Sequence, residues 1–155
     1  MKSRLVVPAV LLVGLATACT DSSSEEAAAP DSAEAATCDA FYEGTGTPLA
    51  ERAENARTAL TSGEITDPGS YGEVNGLEQR ISGLADDSPE SLAAILEQIN
   101  EPFDESVAAV NNATYSAPAG ESPEFPDLTG IDVSGSEAAQ DELDSACADA
   151  GYDPA

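Results

Sequence analysis

One stripe of large apolar residues constrains this chain more than any other feature. Leu92, Ile95, Leu96, Ile99, Phe103, Val107 and Val110 recur at three- and four-residue spacing. That period puts them on one face of a helix of about five turns. A face this broad has to be buried against other elements. Ser88-Pro89 marks the start of the helix. Pro102 lies inside it, where it removes one hydrogen bond and pushes on the carbonyl of Gln98. A kink or break is expected near Asn100-Glu101, with the same face continuing beyond it.

Weaker stripes flank the strong one. Thr47-Pro48 reads as an N-cap and first helical residue. Leu49, Ala53, Ala56 and Leu60 follow at helical spacing, and Gly63 marks the stop. Arg52 and Arg57 lie off that stripe, each near acids. Asp67-Pro68 opens another helix with Val74, Leu77, Ile81 and Leu84 inward. Gly72, Gly76 and Gly83 each weaken it by about 1 kcal/mol relative to Ala, which leaves room for a start as late as Tyr71. A last helix runs from Ser136 to about Ala150, with Ala139, Leu143, Ala146, Cys147 and Ala150 on one side. Before the first of these helices, Cys38 to Tyr42 forms a short amphipathic piece. Between Thr114 and Gly135 the pattern gives way to a connection punctuated by prolines and glycines. Its Phe125, Leu128, Ile131 and Val133 are expected to lie across one opening of the core. The pattern predicts an all-α fold: a small antiparallel bundle of about four helices over residues 38–155.

The N-terminal residues have a different logic. Lys2 and Arg4 precede an apolar run, Leu5 to Leu15, and Leu15-Ala16-Thr17-Ala18-Cys19 closes it. Fourteen uncharged residues from Leu5 to Ala18 span about 21 Å as a helix, short of a bilayer core of about 30 Å. In this segment the chain resembles a bacterial prolipoprotein, with Ala16 where the lipobox prefers leucine. The rest looks like a small secreted lipoprotein of high-GC Gram-positive type. The resemblance implies a signal peptide over residues 1–18, acylation of Cys19, and a lipid anchor on the extracytoplasmic face of the cell membrane. The alternative is an ordinary secretory signal cleaved after Ala16-Thr17-Ala18. Residues 19–37 carry acids, no basic residue and no large apolar side chain from Thr20 onward, the composition of a disordered tether. Eighteen such residues span about 23 Å root-mean-square.

With Cys19 assigned to the lipid, Cys38 and Cys147 remain as an even pair, and an oxidising compartment favours a disulfide between them. Beyond residue 18 the chain has thirty acids against Arg52, Arg57 and Arg80, a net charge of −27, and no lysine. Nucleic acid and anionic lipid head groups would be repelled. The acids serve solubility, or a cationic partner such as calcium. Asp86-Asp87, Asp104-Glu105 and Asp141-Glu142-Asp144 are dense, but none has the alternating spacing of an EF-hand loop.

Catalytic signals are missing from the residue inventory. The chain has no His, which removes His-based triads, general bases and metal ligands. It has no phosphate-binding loop and, beyond residue 18, no lysine for a Schiff base. No cofactor is implied, and the chain does not read as an enzyme. Three classes remain. The first is a non-enzymatic interaction or accessory module of the cell envelope with an unknown protein partner. The second is a binder of a small ligand or of calcium, its pocket lined by Tyr42, Tyr71, Phe103, Tyr115 or Phe125. The third is an enzyme using carboxylates alone. The first is reached by elimination.

Overall fold

A computed structural model describes residues 32–152. The signal segment and Cys19 lie outside the described residues. Five α-helices and no strands are present among them: α1 (Ala33–Tyr42), α2 (Leu49–Ser62), α3 (Pro68–Asp86), α4 (Glu90–Ser116) and α5 (Ser134–Asp149). The all-α expectation holds, with one helix more than the expected four.

The additional helix is α1, and it starts upstream of the expected boundary at Cys38. Ser32 supplies the reason, because its Oγ accepts a hydrogen bond from the Ala35 N–H at 3.0 Å. This cap satisfies one of the donors that a helix start leaves open. Ala33, Ala35 and Ala36 are strong helix formers. Composition assigned these residues to the tether, yet Ala35 and Thr37 are buried, and the Thr37 hydroxyl lies 3.0 Å from that of Ser88. Cys38 and Phe41 are fully buried on the inner face of α1.

In α2 the expected stripe is inward: Leu49, Ala53, Ala56 and Leu60 are all buried. Gly63 ends the helix in a left-handed conformation (φ 72°), and the Glu64 N–H closes back on the Ala59 carbonyl. That geometry suits glycine, which has no Cβ to clash. The start differs from expectation. Pro48 occupies the N-cap and Thr47 makes no capping bond, because proline's fixed φ can also lead into the first turn from outside it.

Helix α3 begins at Pro68 and not as late as Tyr71. Asp67 Oδ1 accepts from the N–H groups of Gly69 (2.7 Å) and Ser70 (3.3 Å), while Ser70 Oγ accepts from the Asp67 N–H. This reciprocal cap offsets the weak propensity of the glycines that follow. Val74, Leu77 and Ile81 are inward as expected, but Ala85 takes the buried place expected of Leu84. Residues 87–89 then turn the chain into α4, forming a helical hairpin.

Helix α4 runs unbroken for 27 residues with Pro102 inside it. The expected break near Asn100-Glu101 does not occur. Ile99 and Phe103, on either side of Pro102, are both fully buried, so a break would expose apolar surface to recover a single hydrogen bond. The carbonyl deprived of its donor belongs to Gln98, on the exposed side, where water can serve it. Helix α4 packs between α3 and α5, and α1 lies against α2, α5 and α3. The connection after α4 behaves as expected: Leu128 is buried, and Phe125, Ile131 and Val133 pack against the core from outside.

Candidate functional site

Helices α2 and α3 face each other with small residues between them, and the space left over is a groove of about 740 Å³. Its floor is Ala56 and Ala59 from α2 with Val74 and Leu77 from α3. The rim is polar: Thr45 and Thr47 at one end, Asn55 and Thr58 along α2, Glu64 after it, and Ser70, Glu73 and Arg80 along α3. Arg52 reaches across from α2 and places Nη2 3.0 Å from Glu73 Oε2. The same nitrogen would lie 4.0 Å from a Cβ built on Gly76, so the guanidinium rests over the bare backbone of α3. Arg80 follows Gly76 by one helical turn on the same face, about 6 Å along the axis. It is exposed and, among the described residues, makes no ion pair or hydrogen bond.

The third arginine has a different environment. Arg57 is 6% exposed. Its Nη1 donates to Ser136 Oγ (3.2 Å) and its Nη2 to Gln140 Oε1 (2.7 Å), while Ser136 Oγ donates onward to the Ile99 carbonyl (2.7 Å). These neutral partners tie α2 to α5 and α4. Burial lowers the pKa of Arg57, and Glu137, Glu54 and Asp141 oppose that shift. It remains a cation, since an arginine starts from a pKa above 12. The sequence placed Arg57 off the inward stripe and near acids; in the structure it is a buried structural charge.

On the opposite side of α3, a surface cleft of about 490 Å³ runs along its outer seam with α4. Glu78 and Asp86 stand on one wall, Glu97, Glu101 and Asp104 on the other. Asn100 lies between them, 7% exposed, and its Oδ1 has no hydrogen-bond partner. The dense runs singled out for calcium do not assemble. Asp86 and Asp104 share this cleft, whereas Asp141 and Asp144 lie on α5. Among the described residues no group of three or more Cys, Asp or Glu side chains is placed to hold a metal ion.

At one end of the bundle Cys38 of α1 is bonded to Cys147 of α5, with Cα atoms 5.7 Å apart. Phe41 and Tyr42 sit beside this bond as the pairing requires. Tyr42 meets Phe41 edge-on at 5.0 Å and stacks on Tyr152 at 5.9 Å, and Tyr152 Oη donates to Glu43 Oε1 at 3.0 Å. Burial, and then the nearby Asp144 carboxylate, push the Tyr42 pKa well above the usual phenol value. The hydroxyl is buried yet makes no hydrogen bond of good geometry. Burial and the bond to Glu43 likewise raise that of Tyr152.

The aromatic residues proposed as pocket walls are dispersed. Phe103 is core, Tyr115 is 87% exposed, and Tyr42 belongs to the disulfide end. Tyr71 meets Phe125 edge-on at 6.1 Å. Of the five, Phe125 lines a cavity, a space of about 250 Å³ under the long connection with Leu60, Ile65 and Leu128. The groove residues Arg52, Asn55, Thr58 and Arg80 were not anticipated as a set. A signal was present: neither Arg52 nor Arg80 has an acid three or four residues away on its own helix, although acids abound.

No protein-family model, no curated protein and no solved structure matches this chain. What its described residues define is a class: an acidic, all-helical domain closed by one disulfide, with a polar groove along α2 and α3.

Proposed function

We propose that the protein is a lipoprotein of the extracytoplasmic face of the cell membrane, anchored by acyl chains on Cys19. Its helical domain acts as a non-enzymatic accessory module of the cell envelope, in contact with an envelope protein. The observation that carries this reading is the bond between Cys38 and Cys147, which closes 109 positions of chain. Such bonds persist outside the reducing cytosol. They also leave Cys19 as the one cysteine available to a lipid, directly after the short apolar segment and its small residues. With net charge −27 beyond residue 18, the domain is repelled by anionic head groups, so retention at the membrane has to come from the anchor. Each buried methylene contributes about 0.8 kcal/mol, and stable anchoring takes two chains.

Fractionation tests the anchor. The wild-type protein is expected in the membrane pellet and Cys19→Ser in the soluble fraction; a variant that still sediments with membranes overturns the lipoprotein reading. Cross-linking in intact membranes tests the accessory role. A single envelope protein in stoichiometric yield is the expected product, and recovery of none overturns that half of the reading.

A further inference from the structure

We propose that the groove between α2 and α3 is a binding site for a small hydroxylated molecule bearing one oxyanion group, a carboxylate or a phosphate, which docks on Arg80. The inference does not depend on acylation of Cys19. It starts from the distribution of charge. The described residues contain three cations, and both of those near the surface, Arg52 and Arg80, line this one groove. Glu64 and Glu73 also line it and balance the two arginines, whereas the rest of the described surface carries acids without a cation, so the groove is the least hostile place for an anionic ligand.

The two arginines are differently committed. Arg52 is held by Glu73 across the groove, which fixes its position and halves its appeal to an anion. Arg80 has no partner among the described residues, and its neighbours one turn away are Gly76, Leu77, Gly83 and Leu84. No acid lies one turn away on its own helix, and Glu73, two turns back, is paired with Arg52, so the Arg80 guanidinium keeps its donors for a planar or tetrahedral oxyanion. Gly76 leaves space beside the Arg52 guanidinium. It weakens α3 by about 1 kcal/mol, and a Cβ built there has Arg52 Nη2 as its nearest neighbour at 4.0 Å, so a longer side chain would take up the space next to that guanidinium. Asn55 and Thr58 supply amide and hydroxyl groups over the apolar floor of Val74 and Leu77. The groove is more polar than most small-molecule sites and has no aromatic wall, so its charged anchor and its neutral donors and acceptors suit a ligand with hydroxyls next to the anion.

The test uses the purified protein with its disulfide intact. Glucose 6-phosphate, glucuronate and glucose are titrated by calorimetry, with amide shifts of Asn55, Thr58 and Arg80 followed by NMR. Inorganic phosphate is included as a bare oxyanion. Saturable binding of the sugar phosphate assigns a phosphate ligand, and saturable binding of glucuronate a carboxylate; either supports the site. Each should bind more tightly than glucose and than inorganic phosphate. Arg80→Gln is expected to weaken binding at least tenfold, about 1.4 kcal/mol. Gln98→Glu makes the same change in net charge on the outer side of α4 and should leave binding unchanged. Gly76→Leu should fold at least as stably as wild type, because leucine is the better helix former, and should abolish binding. The proposal is overturned if neither charged sugar binds, if glucose binds as well as they do, or if Gln98→Glu weakens binding as much as Arg80→Gln.

Discussion

The two sides of α3 show what side-chain size decides in this fold. Toward α4, Val74, Leu77 and Ile81 meet Leu92, Leu96, Ile99 and Phe103, and all seven are buried almost completely. Toward α2, Val74 and Leu77 are met only by the alanines Ala56 and Ala59, and the helices leave a groove of about 740 Å³ with a polar rim. Large apolar side chains interdigitate and exclude water. Small ones remove little apolar surface on contact, so the driving force to close the gap is weak. One half of the domain therefore serves as scaffold and the other half is available for binding. Helix α2 stays attached because Arg57 reaches the opposite way, into α5, and because Leu49 and Leu60 anchor its two ends.

Removing the disulfide should widen this contrast most. In the chain-entropy model a closed loop of about 100 residues contributes about 4.7 kcal/mol, a large share of a typical net stability of about 5–15 kcal/mol. The Cys38→Ser, Cys147→Ser double variant should lose a stability of that order in denaturant titrations. Hydrogen exchange should rise first in α1 and α2, the helices outside the large-residue core, and last in α4. Uniform loss of protection across all five helices would show that the two halves do not differ in stability.

Paired substitutions on the two sides of α3 come next. Phe103→Ala empties the fully buried centre of the tight side and should cost about 3–5 kcal/mol. Gly76→Ala lies on the open side, where the added Cβ meets its nearest neighbour at 4.0 Å; it should stabilise by about 0.5–1 kcal/mol through helix propensity. Thermal melts of both variants suffice, and a destabilising Gly76→Ala would mean the groove is more tightly packed than its shape implies.

A smaller contrast separates two arginines of α2. Arg57→Ala leaves Ser136 and Gln140 without their charged donor in a buried network and should cost about 2–3 kcal/mol. Arg52→Ala removes an ion pair whose carboxylate is 83% exposed and should cost about 0–1 kcal/mol. Equal losses would contradict the assignment of Arg57 as structural.

The smallest effect is expected at the cap of α3. Hydrogen bonds from the N–H groups of Gly69 and Ser70 hold Asp67 below the usual carboxylate range. Its contribution is therefore complete above the unfolded value of about 3.9 and disappears as pH falls through its depressed folded value. Asp67→Ala should melt below wild type at neutral pH, and the difference should shrink toward zero in acid. A difference that persists unchanged at low pH would assign the loss to helix propensity and not to the charge.

Much of the helical framework was legible because its signals are local. Inward residues repeat every 3.6 positions, Asp67-Pro68 starts α3, Gly63 stops α2, and each depends on neighbours within one turn of chain. The Cys38–Cys147 pairing was legible by counting cysteines, and it brought Phe41 and Tyr42 to the expected end. Where a long-range contact competes with a local signal, the sequence misleads. Pro102 ought to kink or break α4, but with buried faces on both sides of it the helix continues unbroken. Composition puts Ala33 to Thr37 in a tether, but burial of Ala35 and Thr37 against the bundle, with the cap at Ser32, makes them helix.

The candidate site belongs to this second kind. Arg52 and Arg80 are 28 positions apart, and although the lack of an acid one turn away marks each of them, that local signal does not say that they line a common groove. Which charges meet across two helices depends on how closely the helices approach, and that follows from the volumes of all the side chains between them. Spacing along the chain determined which face of each helix turns inward. Packing among the helices decided that Arg57 is buried, that the aromatic residues are dispersed, and that the exposed positive charge of the described residues is gathered in one place.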